Sequence, residues 1–314
     1  MEKTIDKIFG LLVDSKEYLS GEYIGEKLGI SRIAVNKHIK KLISNGIDIE
    51  IGRKGYKYKD SDSLTVQTLS KKLLKSGIDI PIFINEVEST NTEVKKLYPE
   101  INKDFLFVAP RQISGRGRLD RTFVSGYGGV YMTLCYKPKK LLVSDSLKLV
   151  LLTGLAVAKV LKKYTENVTI KWPNDVFVNG KKICGILLES VITENITEAV
   201  FLGIGVNITN DIPKNLQSKA PSLQLEHLEL VPREQLICEI IELLYQMLAL
   251  YQEKGFEPFI KEYTDLSISI NHNVVVNVGD SKKSGFGMGL SEEGYLLIEN
   301  NGIIEKIILG DIEV

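Results

Sequence analysis

Residues 115–123 read GRGRLDRTF, with Arg116, Arg118 and Arg121 interleaved with Gly115 and Gly117. Three guanidiniums this close repel one another unless an anion sits among them, and glycine lets the backbone adopt conformations that other residues avoid. Such a stretch suits a loop that closes over a phosphate or a carboxylate. The plain alternative is a solvated, arginine-rich surface loop. Three other stretches could share the work: ESTN (88–91), KWPNDVFVNGKKICGILLE (171–189) and GIGVN (203–207), with Gln112 just ahead of the loop. Each also has an ordinary reading. Ser-Thr-Asn is a usual start for a helix, a lysine pair in a turn such as NGKK is usually solvated, and Trp172 fits a core as well as a site. GIGVN is not the glycine pattern that opens a dinucleotide-binding helix; its glycines suit a strand that a ligand approaches closely. GFGMG (285–289) has no GK[ST] after it and is expected to be a turn joining two strands.

Hydrophobic periodicity outlines the elements that must hold these residues. Ile5, Ile8, Phe9 and Leu12 form one helical stripe. A short helix at about 21–28, a tight turn at Gly29–Ile30 and a longer helix from about 32 to 44 follow. Ser31 is placed as the N-cap of the longer helix, and Val35, Ile39 and Leu42 share one of its faces. IDIEIGRKGYKYK then reads as two short strands around a Gly52–Gly55 turn, completing the order of a winged helix-turn-helix. Between residues 31 and 59, eight cations (Arg32, Lys37, Lys40, Lys41, Arg53, Lys54, Lys57 and Lys59) face two acids, Asp48 and Glu50. That imbalance is the electrostatic footprint of duplex binding. Arg32, Asn36, Lys37 and Lys40 of the helix-turn-helix (about 21–40), with Arg53 and Lys54 of the wing, are the candidate DNA-contacting residues. A plain packing module with a solvated lysine face is the alternative.

We divide the chain into a winged helix-turn-helix (1–62), a connector with a short helix (63–80), a central domain (81–270) and a small C-terminal β module (271–314). In the central domain the strand-like runs are PIFINEV, DFLFVAP, GVYMTLCYKP, VTIKWPNDVFV, KKICGILLESV and AVFLGIGVNI. Beside the helical runs DSLKLVLLTGLAVAKVLKKY and REQLICEIIELLYQMLALYQEKG they indicate an α+β fold with a mixed sheet. The tail alternates apolar and polar residues between glycine turns, as a small barrel does.

Composition narrows the classes. At 314 residues, 44% hydrophobic and 25% charged, the chain is an ordinary globular one, and its 40 basic residues balance its 40 acidic ones. Cys135, Cys184 and Cys238 form no CxxC pair, which argues against structural zinc and for a reducing compartment. The longest uncharged apolar stretch, LVLLTGLAVA (149–158), is too short to span a bilayer, and the acid-containing N-terminus does not read as a signal peptide. A cytoplasmic protein with no membrane association is expected.

Together, in this order and spacing, GRGR, KWPND and KxxGI resemble the biotin protein ligases, and the front winged helix resembles their bifunctional members, which also repress the biotin operon. The resemblance runs along essentially the whole chain. It implies a central ligase domain, a C-terminal SH3-like β-barrel, and biotin, ATP and Mg as ligands. It implies that biotin is activated as biotinyl-5'-AMP and passed to a lysine of a biotin carboxyl carrier protein, a subunit of acetyl-CoA carboxylase. It also implies operator DNA as a partner and a homodimer when the protein is loaded with biotinyl-AMP. On this resemblance Lys182 and Arg118 are the catalytic residues. Ser89, Thr90, Asn91, Gln112, Arg116, Gly117, Arg118 and Lys182 bind biotin. Arg121, Phe123, Trp172, Asn174, Asp175 and Asn207 serve the nucleotide, with Mg near Asp175 rather than in an all-protein metal site. The three arginines are expected to converge on the anion that the substrate brings. Two other readings stand beside this one: a biotin-sensing regulator without catalysis, and a ligase for lipoate or another acyl acid.

Two positions depart from the family pattern. Asp120 replaces a glycine of GRGRxGR, where it could pair with Arg118 or Arg121, and Phe123 stands where a tryptophan is common. The strand GVYMTLCYK (129–137) directly follows the loop; at a sheet edge it would pair with its twin in a dimer and couple ligand occupancy to DNA binding.

Overall fold

The computed structural model describes residues 4–15, 17–44, 49–59, 69, 73, 78, 86–139, 141–224, 226, 232–279 and 281–313. At the front, α1 (Thr4–Asp14), α2 (Gly21–Leu28) and α3 (Arg32–Ser44) precede an antiparallel hairpin of β1 (Ile49–Gly52) and β2 (Gly55–Tyr58). The Ser20 hydroxyl accepts from Tyr23 N–H and the Ser31 hydroxyl from Ala34 N–H, so each helix start has its cap. Gly29, at φ 68, ends α2 in the left-handed conformation. Ile8, Phe9, Leu12, Ile24, Val35 and Ile39 close a small core beneath the hairpin. Arg32, Lys37, Lys40, Arg53 and Lys54 stand exposed. Asn36 differs from these: it is half-buried and its amide donates to the Tyr56 hydroxyl at 3.0 Å, so it ties α3 to the wing.

The central sheet has six strands: β3 (Phe105–Ala109), β4 (Val130–Tyr136), β5 (Val168–Lys171), β6 (Asp175–Val178), β7 (Lys181–Thr193) and β8 (Ile196–Val206), in the order β3-β4-β8-β7-β6-β5. Neighbouring strands run antiparallel, and parallel pairing enters at two isolated bridges, Val87 with Gln112 and Ile170 with Ser267. Side chains alternate between the faces. Met132, Leu134, Leu202 and Ile204 join the main core with α5 (Ser146–Leu161), α6 (Arg233–Lys254) and α7 (Glu257–Leu266). The intervening Phe107, Cys135 and Phe201 pack with Val94 of α4 (Thr90–Leu97) in a second cluster.

Several expectations change here. VTIKWPNDVFV is not one strand but two, β5 and β6, folded back through residues 172–174. The strand expected at the sheet edge, β4, is interior: it pairs with β3 on one side and β8 on the other, and all seven of its residues are buried. Its run, apolar but for Thr133, is what a strand covered on both faces requires. Beyond α6 the chain turns at Gly255, φ 70, and restarts as α7, with a proline in the first turn. The connector helix and PIFINEV lie outside the described residues, except that Leu69, Leu73 and Ile78 are buried in the main core and Val87 is at its bridge.

The tail is an antiparallel sheet of β9 (Asn273–Val278), β10 (Ser281–Leu290), β11 (Leu296–Asn300), β12 (Ile303–Ile307) and β13 (Asp311–Ile312), in the order β12-β11-β10-β9-β13. GFGMG is not a turn but part of β10. A methyl group at Gly285 would stand 2.5 Å from the Glu299 carbonyl oxygen, and one at Gly287 would stand 1.9 Å from that of Ser269, so backbone packing accounts for these glycines. The module is fastened to the central sheet at the β5–β6 hairpin. The Trp172 indole N–H donates to the Gly294 carbonyl at 3.1 Å and the Lys171 ammonium to the Ile312 carbonyl at 3.1 Å.

Close backbone packing also governs the front helices, where a methyl group at Gly25 would stand 2.6 Å from the Ile30 carbonyl oxygen. Gly25→Ala is expected to destabilise that unit by about 1–3 kcal/mol. Amide hydrogen exchange should quicken in α2 and α3 and stay unchanged in the six-stranded sheet; unaltered exchange in α2 would contradict this packing.

Candidate active site

Gly185 of β7 and Gly203 and Gly205 of β8 form a floor on the α4 side of the sheet, with Gly185 opposite Gly205 and Leu187 opposite Gly203. Ser89, Thr90, Asn91, Gln112, Arg116, Gly117, Arg118, Arg121, Phe123, Asn174, Asp175 and Lys182 line one cavity above that floor. The protein's own side chains explain these glycines. A methyl group at Gly205 would meet the Phe123 ring at 2.6 Å, and one at Gly203 would meet Asn91 Oδ1 at 2.5 Å. Phe123 packs edge-on to Tyr131, with ring centroids 6.4 Å apart.

A hydrogen-bonded chain lines one end. Thr90 N–H donates to Gln112 Oε1 at 2.8 Å, Gln112 Nε2 to the Ser125 hydroxyl at 2.9 Å, and that hydroxyl to the Phe123 carbonyl at 2.9 Å. The Thr133 hydroxyl donates to Asn91 Oδ1 at 2.6 Å, and Asn91 Nδ2 donates to Glu189 at 2.8 Å. Ser89 precedes α4 as its N-cap residue, yet its hydroxyl makes no capping bond and it is buried at the cavity.

The arginine loop is folded back on itself, with Phe123 N–H donating to the Gly115 carbonyl at 2.8 Å and Gly117 N–H to that of Arg121 at 2.6 Å. Leu119 at its tip takes φ 54, a conformation that L-residues rarely adopt. The arginines do not converge on one point; each is held separately by the protein. Arg116 pairs with Glu189 at 3.0 Å. Arg118 donates to Asn174 Oδ1 at 2.9 Å and to the Gly310 carbonyl at 3.2 Å. Arg121 pairs with Asp311 at 2.5 Å. These are the partners of Arg118 and Arg121, and the side chain of Asp120 lies outside the described residues. Burial pulls the Arg118 guanidinium below its usual pKa, opposed by the charges of Asp175 and Asp311. Burial also works against ionised Asp311, but the Arg121 hydrogen bond and the charge of Lys171 prevail and hold its carboxyl below the ordinary range.

Across the cavity, Lys182 is 2.8 Å from Asp175, whose other oxygen is 4.0 Å from Lys171. Lys181 instead pairs outward with Glu226 at 2.8 Å. The Asn174 amide donates to the Ile186 carbonyl at 3.0 Å, which fixes the oxygen that receives Arg118. Two expected residues are not in the cavity lining. Trp172 is fully buried beneath the tail module. Asn207 is buried where its amide donates to the Pro221 carbonyl at 3.2 Å and its oxygen accepts from Asn210 at 3.1 Å, so it braces a loop. Conversely, Glu189, Thr133, Ser125 and Asp311 were not expected. For Glu189 the signal was present: with Gly185 and Leu187 it falls on alternate residues of one strand. Asp311, 190 residues from Arg121, left no local signal.

Residues 83–207 match the biotin/lipoate A/B protein ligase family, and residues 4–57 match a helix-turn-helix domain. The bifunctional ligase/repressor BirA of Bacillus subtilis is 32% identical over 307 residues, covering 95% of this chain and 94% of that protein. The protein of the same name from Escherichia coli K12 is 28% identical over 98% of this chain and 96% of its own length. Among solved structures, a biotin protein ligase from Aquifex aeolicus in complex with biotin and ATP superposes with a TM-score of 0.65 at 29% identity, over 74% of this chain and 97% of that one.

The Arg121–Asp311 pair fastens the loop to the tail, and a partly exposed pair of this kind contributes up to about 1 kcal/mol. Asp311→Asn is expected to speed amide exchange across residues 115–123 by up to about fivefold, with the six-stranded sheet unaffected. Unchanged exchange in the loop would show that the tail does not hold it.

Proposed function

The chain belongs to the biotin protein ligase family, in its bifunctional ligase/repressor group, and we propose that it activates biotin with ATP as biotinyl-5'-AMP, passes the biotinyl group to a lysine of a biotin carboxyl carrier protein, and represses transcription at a biotin operator. The observation that carries the reading is that Ser89, Thr90, Asn91, Gln112, the arginine loop, Asp175 and Lys182 meet in one cavity over a glycine floor.

In the first step the biotin carboxylate attacks the α-phosphorus of ATP, the bridging bond to the β-phosphate breaks, and pyrophosphate leaves. A carboxylate and a polyphosphate repel as they approach, so fixed cations in a sheltered cavity lower the barrier. We assign Lys182 to the carboxylate, Arg116, Gly117 and Arg118 to the acid's chain, and Ser89, Thr90, Asn91 and Gln112 to its ring. Arg121, Phe123, Asn174 and Asp175 are assigned to the nucleotide. Asp175 would supply one oxygen to a magnesium ion carried in on the phosphates; such an ion keeps several waters, needs only one or two carboxylates, and offsets phosphate charge. Trp172 and Asn207 support the site from within the core. In the second step a neutral lysine amine attacks the acyl carbon, AMP leaves with the bonding electrons, and the nitrogen gives up one proton to solvent as the amide forms. The folded loop excludes water from the mixed anhydride until then. A hydrogen-bonding lining suits a ring with N–H and C=O groups, which favours biotin over the dithiolane of lipoate.

We place operator binding on the exposed cations Arg32, Lys37, Lys40, Arg53 and Lys54, in residues 1–62, separate from a ligase domain at 81–270 and the module at 271–314. Because a helix-turn-helix reads one half-site, we propose that the loaded protein dimerises. With β4 interior, the surface suited to pairing is the far end of the β7–β8 hairpin. There Leu142 bridges Ile196, and both stand exposed with Val143 and Ile192. A cytoplasmic setting is consistent with three free, buried cysteines and with no described helix long and apolar enough to cross a membrane.

Lys182→Ala is expected to lower the rate of pyrophosphate release with biotin and ATP by roughly 10²–10³ while leaving the melting temperature near that of the parent. A rate within a few-fold of the parent would remove Lys182 from the reaction. Ile196→Glu is expected to leave ligation intact while abolishing both dimerisation in sedimentation and operator binding in the presence of biotin and ATP. Retained dimerisation would exclude the hairpin end as the pairing surface.

A further inference from the structure

Thr133 is wholly buried in β4, outside the cavity lining and outside all four stretches discussed above. Its hydroxyl lies 2.6 Å from Asn91 Oδ1 and 2.8 Å from the Thr90 hydroxyl. The room for this contact exists because the strand neighbour of Thr133 is Gly203, which leaves the Asn91 amide space to reach over the sheet.

Its neighbours determine the direction of the protons through this cluster. The Glu189 carboxylate accepts from Arg116 and from Asn91, so the Asn91 amide turns its nitrogen toward Glu189 and its oxygen toward Thr133. An amide oxygen only accepts, so the one hydroxyl proton of Thr133 goes to Asn91. The contact between the two threonine hydroxyls then needs the proton of Thr90. Two acceptors are open to that proton: the Thr133 oxygen at 2.8 Å and, farther off at 3.2 Å, Gln112 Oε1, which also receives the Thr90 backbone N–H at 2.8 Å. The nearer of the two, Thr133, takes up the Thr90 proton, which leaves the oxygen of this cavity-lining hydroxyl to accept.

We propose that Thr133 is a positioning residue that never touches substrate and sets the Thr90 hydroxyl as an acceptor for a ring N–H, selecting a ureido-type ring over rings without such a donor. This rests on the reading of the cavity as the biotin site. Glu189 anchors the chain and Thr133 transmits its polarity.

The test is calorimetric titration of biotin, and separately of ATP, into the full chain and its Thr133→Val, Thr133→Ser, Thr90→Val and doubly substituted Thr133→Val/Thr90→Val variants. Valine keeps the shape of threonine without the proton. Thr133→Val is expected to weaken biotin binding roughly tenfold to a hundredfold, to leave ATP binding unchanged, and to be rescued by Thr133→Ser. In the Thr90→Val background, where no hydroxyl remains to be oriented, the same change should cost far less. Biotin binding by Thr133→Val equal to the parent, an equal loss in both backgrounds, or a parallel loss of ATP binding would overturn the proposal. Failure of the parent chain itself to bind biotin would instead overturn the functional reading beneath it.

Discussion

A strand residue facing a helix normally fills the gap with its own side chain, and the site depends on three neighbouring positions where this does not happen. At Gly185, Gly203 and Gly205 a methyl group would stand 3.1 Å from Phe123, 2.5 Å from Asn91 and 2.6 Å from Phe123, respectively. Their lack of side chains lets Asn91 of α4 and Phe123 of the arginine loop lie directly against the sheet. On the reverse face the alternate residues Ile186 and Ile204 are large and buried in the main core. One pair of strands therefore serves both as a packed wall and as a binding floor, divided only by the two-residue alternation.

Each of the cations over that floor already has a partner within the protein. Glu189, Asn174 with the Gly310 carbonyl, and Asp311 each hold one arginine, and Asp175 holds Lys182. A substrate carboxylate or phosphate entering the cavity must compete with these groups, so the cations are positioned in advance rather than gathered by the ligand. Two of the arginine partners, Gly310 and Asp311, belong to the tail, which also holds Lys171 and the Trp172 indole. The C-terminal module is in this way part of the site's framework: it fixes the arginine loop from one side while β7 fixes it from the other.

Local order carried much of this into the sequence. Ser31 with the Val35–Ile39–Leu42 face outlines α3, and the GRGR, KWPND and KxxGI stretches point to one ligand site whose residues, apart from Trp172 and Asn207, meet in one cavity. Long-range pairing did not show in this way. An apolar run such as β4 reads alike whether it is an edge or a centre strand, and only the partners β3 and β8 place it inside the sheet. GFGMG reads as a turn because glycines often make turns, whereas here they admit the backbones of Ser269 and Glu299. Thr133 carries no signal at all, because its role arises from Asn91 and Thr90, which lie 42 and 43 residues away.

The central claim is that this cavity forms biotinyl-5'-AMP and retains it. Native mass spectrometry of the full chain, after incubation with biotin, ATP and Mg²⁺ and removal of unbound ligand, tests it most directly. The account predicts a protein species heavier by one biotinyl-AMP, with pyrophosphate released in equal amount. A chain that carries unreacted biotin and ATP side by side, with no pyrophosphate in solution, would contradict it.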